Sequence, residues 1–339
     1  MRAWALDAAG EDAVATLRDL PEPELGPWDV GVELRASGLN HLDLWVARGM
    51  PAPPGFPHVV GADGAGVIAE VGQAVEDLRI GAEVVVDPAV SCGRCRECLA
   101  GDLPYCARFQ VLGEHRWGTH ADRVVVPATN VAPKPETLSW DEAASFGLVT
   151  ASAVRMLRRA RVAADEDVLV VGAGGGSATA AFLVARAAGA RLWATTTSED
   201  ARAWAAANGA ETVLDSYGPF DEEIREATGG RGVDVVIDNV GTATLERSLR
   251  ALARSGRLVT NGSTSGRTAE VHLPTLFWRQ LELIGSSMHD RAEFAEAVRL
   301  AGEGAVRVPV AEVAAFEDYA EALERLGAGG PVGKIVLVR

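Results

Sequence analysis

The segment Val168-Leu-Val-Val-Gly-Ala-Gly-Gly-Gly-Ser-Ala178 constrains this chain more than any other. A short apolar run, the pattern of a buried strand, stops at Gly172. After Gly174, Gly175 and Gly176 an alanine-rich stretch of helical character begins. Glycines let the backbone turn sharply and approach a pyrophosphate closely, and free N–H groups at the following helix start attract its charge. The spacing departs from a strict G-x-G-x-x-G; it reads better as Gly172, Gly175 and Ala178 at intervals of three. A strand-to-helix turn without ligand is the alternative. The succession of strand, glycines, helix and second strand favours a nucleotide, held by Gly172, Gly174, Gly175, Gly176 and Ser177.

The pattern around this turn repeats. Strands are expected at 191–195, 213–214, 233–238 and 257–260, and helices at 177–188, 199–208, 220–228 and 244–253. Strands recurring between helices form a parallel, doubly wound α/β sheet, whose ligands lie beyond the carboxyl ends of the strands. Asn239, Val240 and Gly241 end one such strand, and Asn261 and Gly262 another. They are expected to pass the ribose and nicotinamide, although Asn and Gly also serve ordinary turns. The strand after the glycine turn ends in Thr195, Thr196, Thr197 and Ser198 rather than a carboxylate. Hydroxyls suit a 2′-phosphate better than an acid would, so NADP(H) is expected over NAD(H).

Residues 1–130 read differently. Short alternating runs punctuated by Gly, Pro and Asp suggest a compact β-barrel or sandwich with long loops. The nucleotide domain is expected over 131–290, opening on a helix at 141–159 that Ser139 and Glu142 start with a capping box. Residues 291–339 return to the first domain through the apolar strand Gly333–Arg339. All four cysteines fall in one lobe, as Cys92-x-x-Cys95-x-x-Cys98 and then Cys106. Such spacing wraps a tetrahedral ion, so one structural Zn²⁺ is expected there in preference to free thiols, disulfides or an iron–sulfur cluster. The net charge of -15 over 339 residues disfavours nucleic acid and anionic membranes as partners. Neither a secretory segment nor a long apolar span is visible, which points to the cytoplasm.

In combination these features resemble the medium-chain dehydrogenase/reductase superfamily, which includes the zinc-type alcohol dehydrogenases and the quinone oxidoreductases. The likeness is carried by Gly38-Leu-Asn-His-Leu-Asp43, Gly61-Ala-Asp-Gly-Ala-Gly66, the cysteine lobe, the glycine turn and Gly333-Lys-Ile-Val-Leu337. It implies a GroES-like β-barrel catalytic domain joined to a Rossmann-type domain. It also implies that Thr150 lies near the nicotinamide, that Ser286 is among the cofactor contacts, and that 281–286 is an edge strand pairing two copies in a homodimer.

The resemblance breaks at the catalytic metal. Zinc-dependent relatives have a cysteine where this chain has Asn40, a Gly-His-Glu where it has Gly61-Ala62-Asp63, and a further cysteine near Phe146. Without a Lewis acid, hydride transfer favours acceptors that spread developing charge over a conjugated system, aided by hydrogen-bond donors. Asn40, as in the quinone oxidoreductase branch, is expected to position cofactor or substrate, with His41 and Asp63 completing the catalytic set. His41 reads as a proton donor or a loop brace, and Asp63 as a buried acceptor or a solvated acid. His58 and His115 are weaker pocket candidates, and with His41 and Asp63 their spacing matches no metal motif. The expected activity is an NADPH-dependent reduction of a small apolar quinone or α,β-unsaturated carbonyl. An alcohol dehydrogenase or carbonyl reductase is the first alternative, and a non-catalytic NADP(H)-binding sensor the second.

Overall fold

The structure is a computed structural model describing residues Met1–Arg339. It forms two compact units, Met1–Ala151 with His289–Arg339, and Ser152–Met288.

In the first unit the strand Asp29–Gly38 is the hub. It pairs antiparallel with Asp63–Val71, Arg123–Pro127 and the terminal strand Lys334–Val338 within a seven-stranded sheet. Side chains of these strands and of Glu83–Val86, among them Val30, Val32, Leu34, Ile68, Val84, Val124 and Val126, fill the barrel. Strand contact is tight enough to require glycine at one point: a Cβ on Gly66 would sit 2.0 Å from the Glu33 carbonyl oxygen. The returning chain packs Phe316, Tyr319, Leu323 and Ile335 against Trp4, Leu6, Leu39 and Val46, so residues distant in sequence share one core. Each of these aliphatic or aromatic side chains contributes about 1.5–3 kcal/mol on burial.

The first unit runs further than the expected boundary at 130. Val131–Pro133 pairs with Glu83–Val86, and the Leu148 N–H donates to Asp63 Oδ1 at 2.6 Å, which ties the chain down as far as Ala151. The second crossing falls at His289 rather than 291. The expected helix at 141–159 is two helices, Trp140–Ala143 and Gly147–Arg159, broken where the chain turns past Asp63. Ser139 and Glu142 form the capping box at its start.

The second unit is a six-stranded, wholly parallel sheet. The strands starting at Ala210, Arg191, Asp167, Val233, Leu252 and Glu282 lie side by side in that order. Helices connect them, as a doubly wound fold requires. The order reverses at Asp167–Val171, placing the glycine turn at the switch point where such sheets bind ligands. The expected helix at 244–253 stops at Ala251, because Leu252 already pairs with Val233. The Glu282–Gly285 strand forms one edge. No helix of either unit is long and apolar enough to cross a membrane.

Candidate active site and metal centre

The glycine turn has the geometry of a phosphate cradle. Gly172 and Gly174 adopt φ of +76° and +128°, conformations that side chains rarely take. A Cβ on Gly175 would meet nothing within 4 Å, so the backbone lies open at the start of helix Gly176–Ala187. At the carboxyl ends of the adjacent strand and of the edge strand of the same sheet, Asn239 Nδ2 and Ser286 Oγ are buried without a hydrogen-bond partner. Orphaned polar atoms at the same end of the sheet as an open helix N-terminus fit a dinucleotide. Asn239 Oδ1 accepts from the Asn261 N–H at 2.9 Å, and the Gly262 carbonyl accepts from Thr260 Oγ1 at 3.0 Å.

The Val240–Gly241 turn depends on a residue that sequence reasoning missed. Asp238 is 1% exposed and accepts from the N–H groups of Val240 and Gly241 and from the hydroxyls of Thr244 and Ser248. A carboxylate ending a buried strand was its only local signal.

The hydroxyls at the tip of the next strand are less available than their sequence suggests. Thr195 Oγ1 accepts from the Gly172 N–H at 3.2 Å and meets Ser216 Oγ at 2.8 Å, bracing the glycine turn. Thr196 Oγ1 accepts from the Ser198 N–H, and Ser198 Oγ caps the following helix at Ala201. Arg202 reaches the Val213 carbonyl and Glu199. Thr197 and Ser198 are exposed, but Ser198 is engaged in its cap, which leaves Thr197 as the exposed hydroxyl without a local role. The expected preference for NADP therefore loses three of its hydroxyls to local structure and keeps one argument, the missing carboxylate.

The four cysteine sulfurs converge, all lying within 4.8 Å of one another. Cys92 and Cys98 are 3.8 Å apart, and Cys95 and Cys98 3.5 Å. Tetrahedral Zn–S bonds of about 2.3 Å place sulfurs roughly 3.8 Å apart, so the cluster fits such an ion without rearrangement. The short helix Arg96–Leu99 and the turn Leu103–Tyr105 bring the later sulfurs round to the first. The backbone N–H of Arg94 helps pull the Cys92 thiol down to about 5, favouring a thiolate.

A different assembly occupies the Asn40 region. Asn40 Nδ2 donates to Asp63 Oδ2 at 3.0 Å and to the Gly38 carbonyl at 3.3 Å, while its Oδ1 accepts from Lys334 Nζ. Lys334 Nζ also lies 3.1 Å from Asp63 Oδ2, and all three residues are buried. Strand pairing explains the meeting: Val336 is opposite Gly38, so the antiparallel register carries Lys334 to Asn40. Asp43 fixes the loop from below, accepting from the N–H groups of Asn40 at 2.8 Å and Gly61 at 3.0 Å. Both Asn40 amide protons are spent inside the protein, so its side chain offers no donor to a substrate. Asp63 is a buried acceptor rather than a solvated acid. Ala62 and Phe146 are buried and carry no ligand atom. Lys334, given no site role from the sequence, is one of only two lysines in the chain and stands in the Gly333–Leu337 motif, and those were its signals.

The other polar candidates are dispersed. His58 Nε2 faces the Gly113 carbonyl at 3.1 Å, and His115 Nδ1 accepts from the Val111 N–H. With Asp63 held by Asn40 and Lys334, these groups do not assemble into a metal site. Thr150 is fully buried with an unpartnered Oγ1.

Desolvation lowers the pKa of His41, and the nearby Lys334 ammonium lowers it further, so its imidazole is neutral at pH 7 and a poor acid. Burial also lowers His58. The unfolded chain then binds more protons than the folded one as pH falls through about 6.5, and stability must drop in that direction. Urea titrations between pH 7 and 5 should show unfolding free energy declining, at most about 1.4 kcal/mol per pH unit from the buried His58, with the exposed His41 adding little. His58→Gln should flatten the slope, and an unchanged slope would remove His58 from this account.

A barrel unit carrying a cysteine lobe, together with a doubly wound nucleotide unit, defines a two-domain dinucleotide-dependent oxidoreductase. The alcohol dehydrogenase GroES-like domain family matches residues 26–136, and the zinc-binding dehydrogenase family residues 176–303. The chain is 31% identical to an NAD-dependent alcohol dehydrogenase of Sulfolobus acidocaldarius, over 99% of both chains. It is 30% identical to an acryloyl-coenzyme A reductase of Metallosphaera sedula, over 95% of both. A solved structure described as an NAD-dependent alcohol dehydrogenase superposes with a TM-score of 0.96 at 41% identity, covering 100% of each chain. The chain belongs to the medium-chain dehydrogenase/reductase superfamily. It is an NAD(P)H-dependent oxidoreductase.

Proposed function

We propose that this enzyme reduces an α,β-unsaturated carbonyl compound, without a catalytic metal. The observation that carries the reading is the Asn40–Lys334–Asp63 network, which supplies an ammonium where a zinc-dependent relative places its metal ligands. A second cation beside Lys334 would be repelled, and Asn40 has no free lone-pair geometry comparable to a thiolate. The bound dinucleotide supplies the hydride. Gly172 to Ser177 bind its phosphates, and Asn239 and Ser286 offer polar atoms to its ribose and nicotinamide portions. The Asn40 network keeps the loop at Gly38–Asp43 rigid, Thr150 Oγ1 is the free buried donor, and neutral His41 leaves the final proton to solvent. An acceptor that delocalises its own charge needs no stronger electrophile. The acryloyl-coenzyme A reductase likeness supports this class of acceptor.

We keep NADP(H) as the preferred cofactor on the absence of a carboxylate at Thr196–Thr197. A structural zinc belongs at Cys92, Cys95, Cys98 and Cys106. The exposed edge Glu282–Gly285, with Leu283 uncovered, suits pairing with a second copy in a homodimer. Clustered thiols fit the reducing cytoplasm. Oxidation of NADPH and NADH with an enone, an enoyl thioester, a quinone and a saturated aldehyde tests the reading. The conjugated acceptors should be turned over at least tenfold faster than the aldehyde, NADPH better than NADH, and brief chelation should leave the rate unchanged. Faster turnover of the saturated aldehyde, or prompt loss on chelation, would replace it with the alcohol dehydrogenase reading.

A further inference from the structure

One corner of the nucleotide unit gathers positive charge that no acid of the chain neutralises. Arg225 lies in the last turn of helix Phe220–Ala227, Arg254 in the strand Leu252–Thr260, and Arg279 just after helix Leu273–Trp278. With Gly230, Arg231 and Ala253 they line a pocket of about 460 Å³. Arg225 Nε and Arg279 Nη1 both donate to the Arg250 carbonyl, at 3.0 and 3.3 Å. Arg225 Nη2, at 3.1 Å, and Arg279 Nη2 also share the Leu252 carbonyl. Two guanidinium groups on the same pair of carbonyls must sit side by side.

Arg254 joins them through Nη1, which donates to the Trp278 carbonyl at 3.0 Å. None of the three has a carboxylate within 4.0 Å, whereas Arg231 is held by Asp167 and Asp234. Mutual repulsion is felt at Arg279, whose pKa is lowered by burial and then by Arg225 and Arg254. Like charges left together on a chain of net charge -15 are a local arrangement, not a consequence of a basic surface.

The carbonyl bonds cap the chain around Leu249–Leu252 but do not balance charge. Each guanidinium carries several N–H donors, and Arg254 spends only one on Trp278. The remaining donors suit the oxygens of a phosphate, which a guanidinium fork grips two at a time. The pocket adjoins the amino ends of the strands starting at Val233 and Leu252, whereas Asn239 and Asn261 lie past their carboxyl ends. It is therefore separate from the dinucleotide cradle. We propose that Arg225, Arg254 and Arg279 form a second anion site, which binds the phosphate groups of a small, multiply charged ligand.

Calorimetric titration of the NADP-saturated enzyme with inorganic pyrophosphate, at constant ionic strength, tests this. Saturation blocks the cradle, so one further pyrophosphate should bind per chain. Arg254 is the residue to change, because Arg225 and Arg279 also cap the chain. Arg254→Gln should weaken binding at least tenfold and Arg254→Glu abolish it, with NADP affinity unchanged in both as proof of folding. No binding to the wild type, or equal binding by wild type and Arg254→Glu, would overturn the proposal.

Discussion

Replacing Lys334 by Met should destabilise the barrel unit by about 3–5 kcal/mol, among the largest effects available to a single substitution in this protein. The reason is what remains behind. Asp63 is 1% exposed, and without Lys334 its carboxylate keeps only the Asn40 amide and the Leu148 N–H. An uncompensated charge in that position must be solvated, protonated or expelled, and each route costs free energy. Urea denaturation at pH 7 measures the loss directly. The double variant Lys334→Met/Asp63→Asn removes both charges and should recover most of it, since replacing a whole buried pair is often close to neutral. A single-variant loss below about 1 kcal/mol would mean that Lys334 is not what balances the Asp63 carboxylate.

On the proposed reading, the same network lets the protein work without a catalytic ion yet keep a polar interior. Lys334 and Asp63 cancel each other's charge, and Asn40 bridges them with one acceptor and one donor. Its cost is paid in reactivity: Asn40 is held still, but it has no proton left to offer. On the proposed reading the barrel therefore selects acceptors already polarised by conjugation, and the buried Thr150 hydroxyl is the donor to examine next.

Local features were legible in the sequence, and long-range partnerships were not. The strand entering Gly172 and the helix leaving Gly176 follow from apolar runs and glycine alone, because the turn is closed by neighbours in sequence. The cysteine lobe was equally readable, all its ligand atoms coming from one short stretch. Thr195 looked free because its partner, Ser216, arrives from the next strand. Asn40 looked available because Lys334 lies at the far end of the chain, brought back only by pairing between Lys334–Val338 and Asp29–Gly38. The boundary expected at 130 differs from the compact unit's for a related reason. That Val131–Pro133 belongs with the first unit is visible only once its partner strand Glu83–Val86 is known.

Changing Cys98 to Ser should empty the cysteine cluster and cost the barrel unit roughly 10 °C in thermal midpoint. Cys98 Sγ lies 3.5 Å from Cys95 Sγ and 3.8 Å from Cys92 Sγ. Helix Arg96–Leu99 buries none of its residues, and within the lobe apolar burial is limited to Leu103 and Cys106, so packing holds little of it once the ion is lost. Binding the metal is then part of folding that lobe. Elemental analysis should give one zinc per wild-type chain and none in the variant, while NADP affinity, a property of the other unit, should persist. Prolonged chelation of the wild type should produce the same fall in midpoint. Two zincs in the wild type, one of them surviving in Cys98→Ser, would place a second ion outside the lobe. The Asn40–Lys334–Asp63 network would then no longer account for the catalytic position.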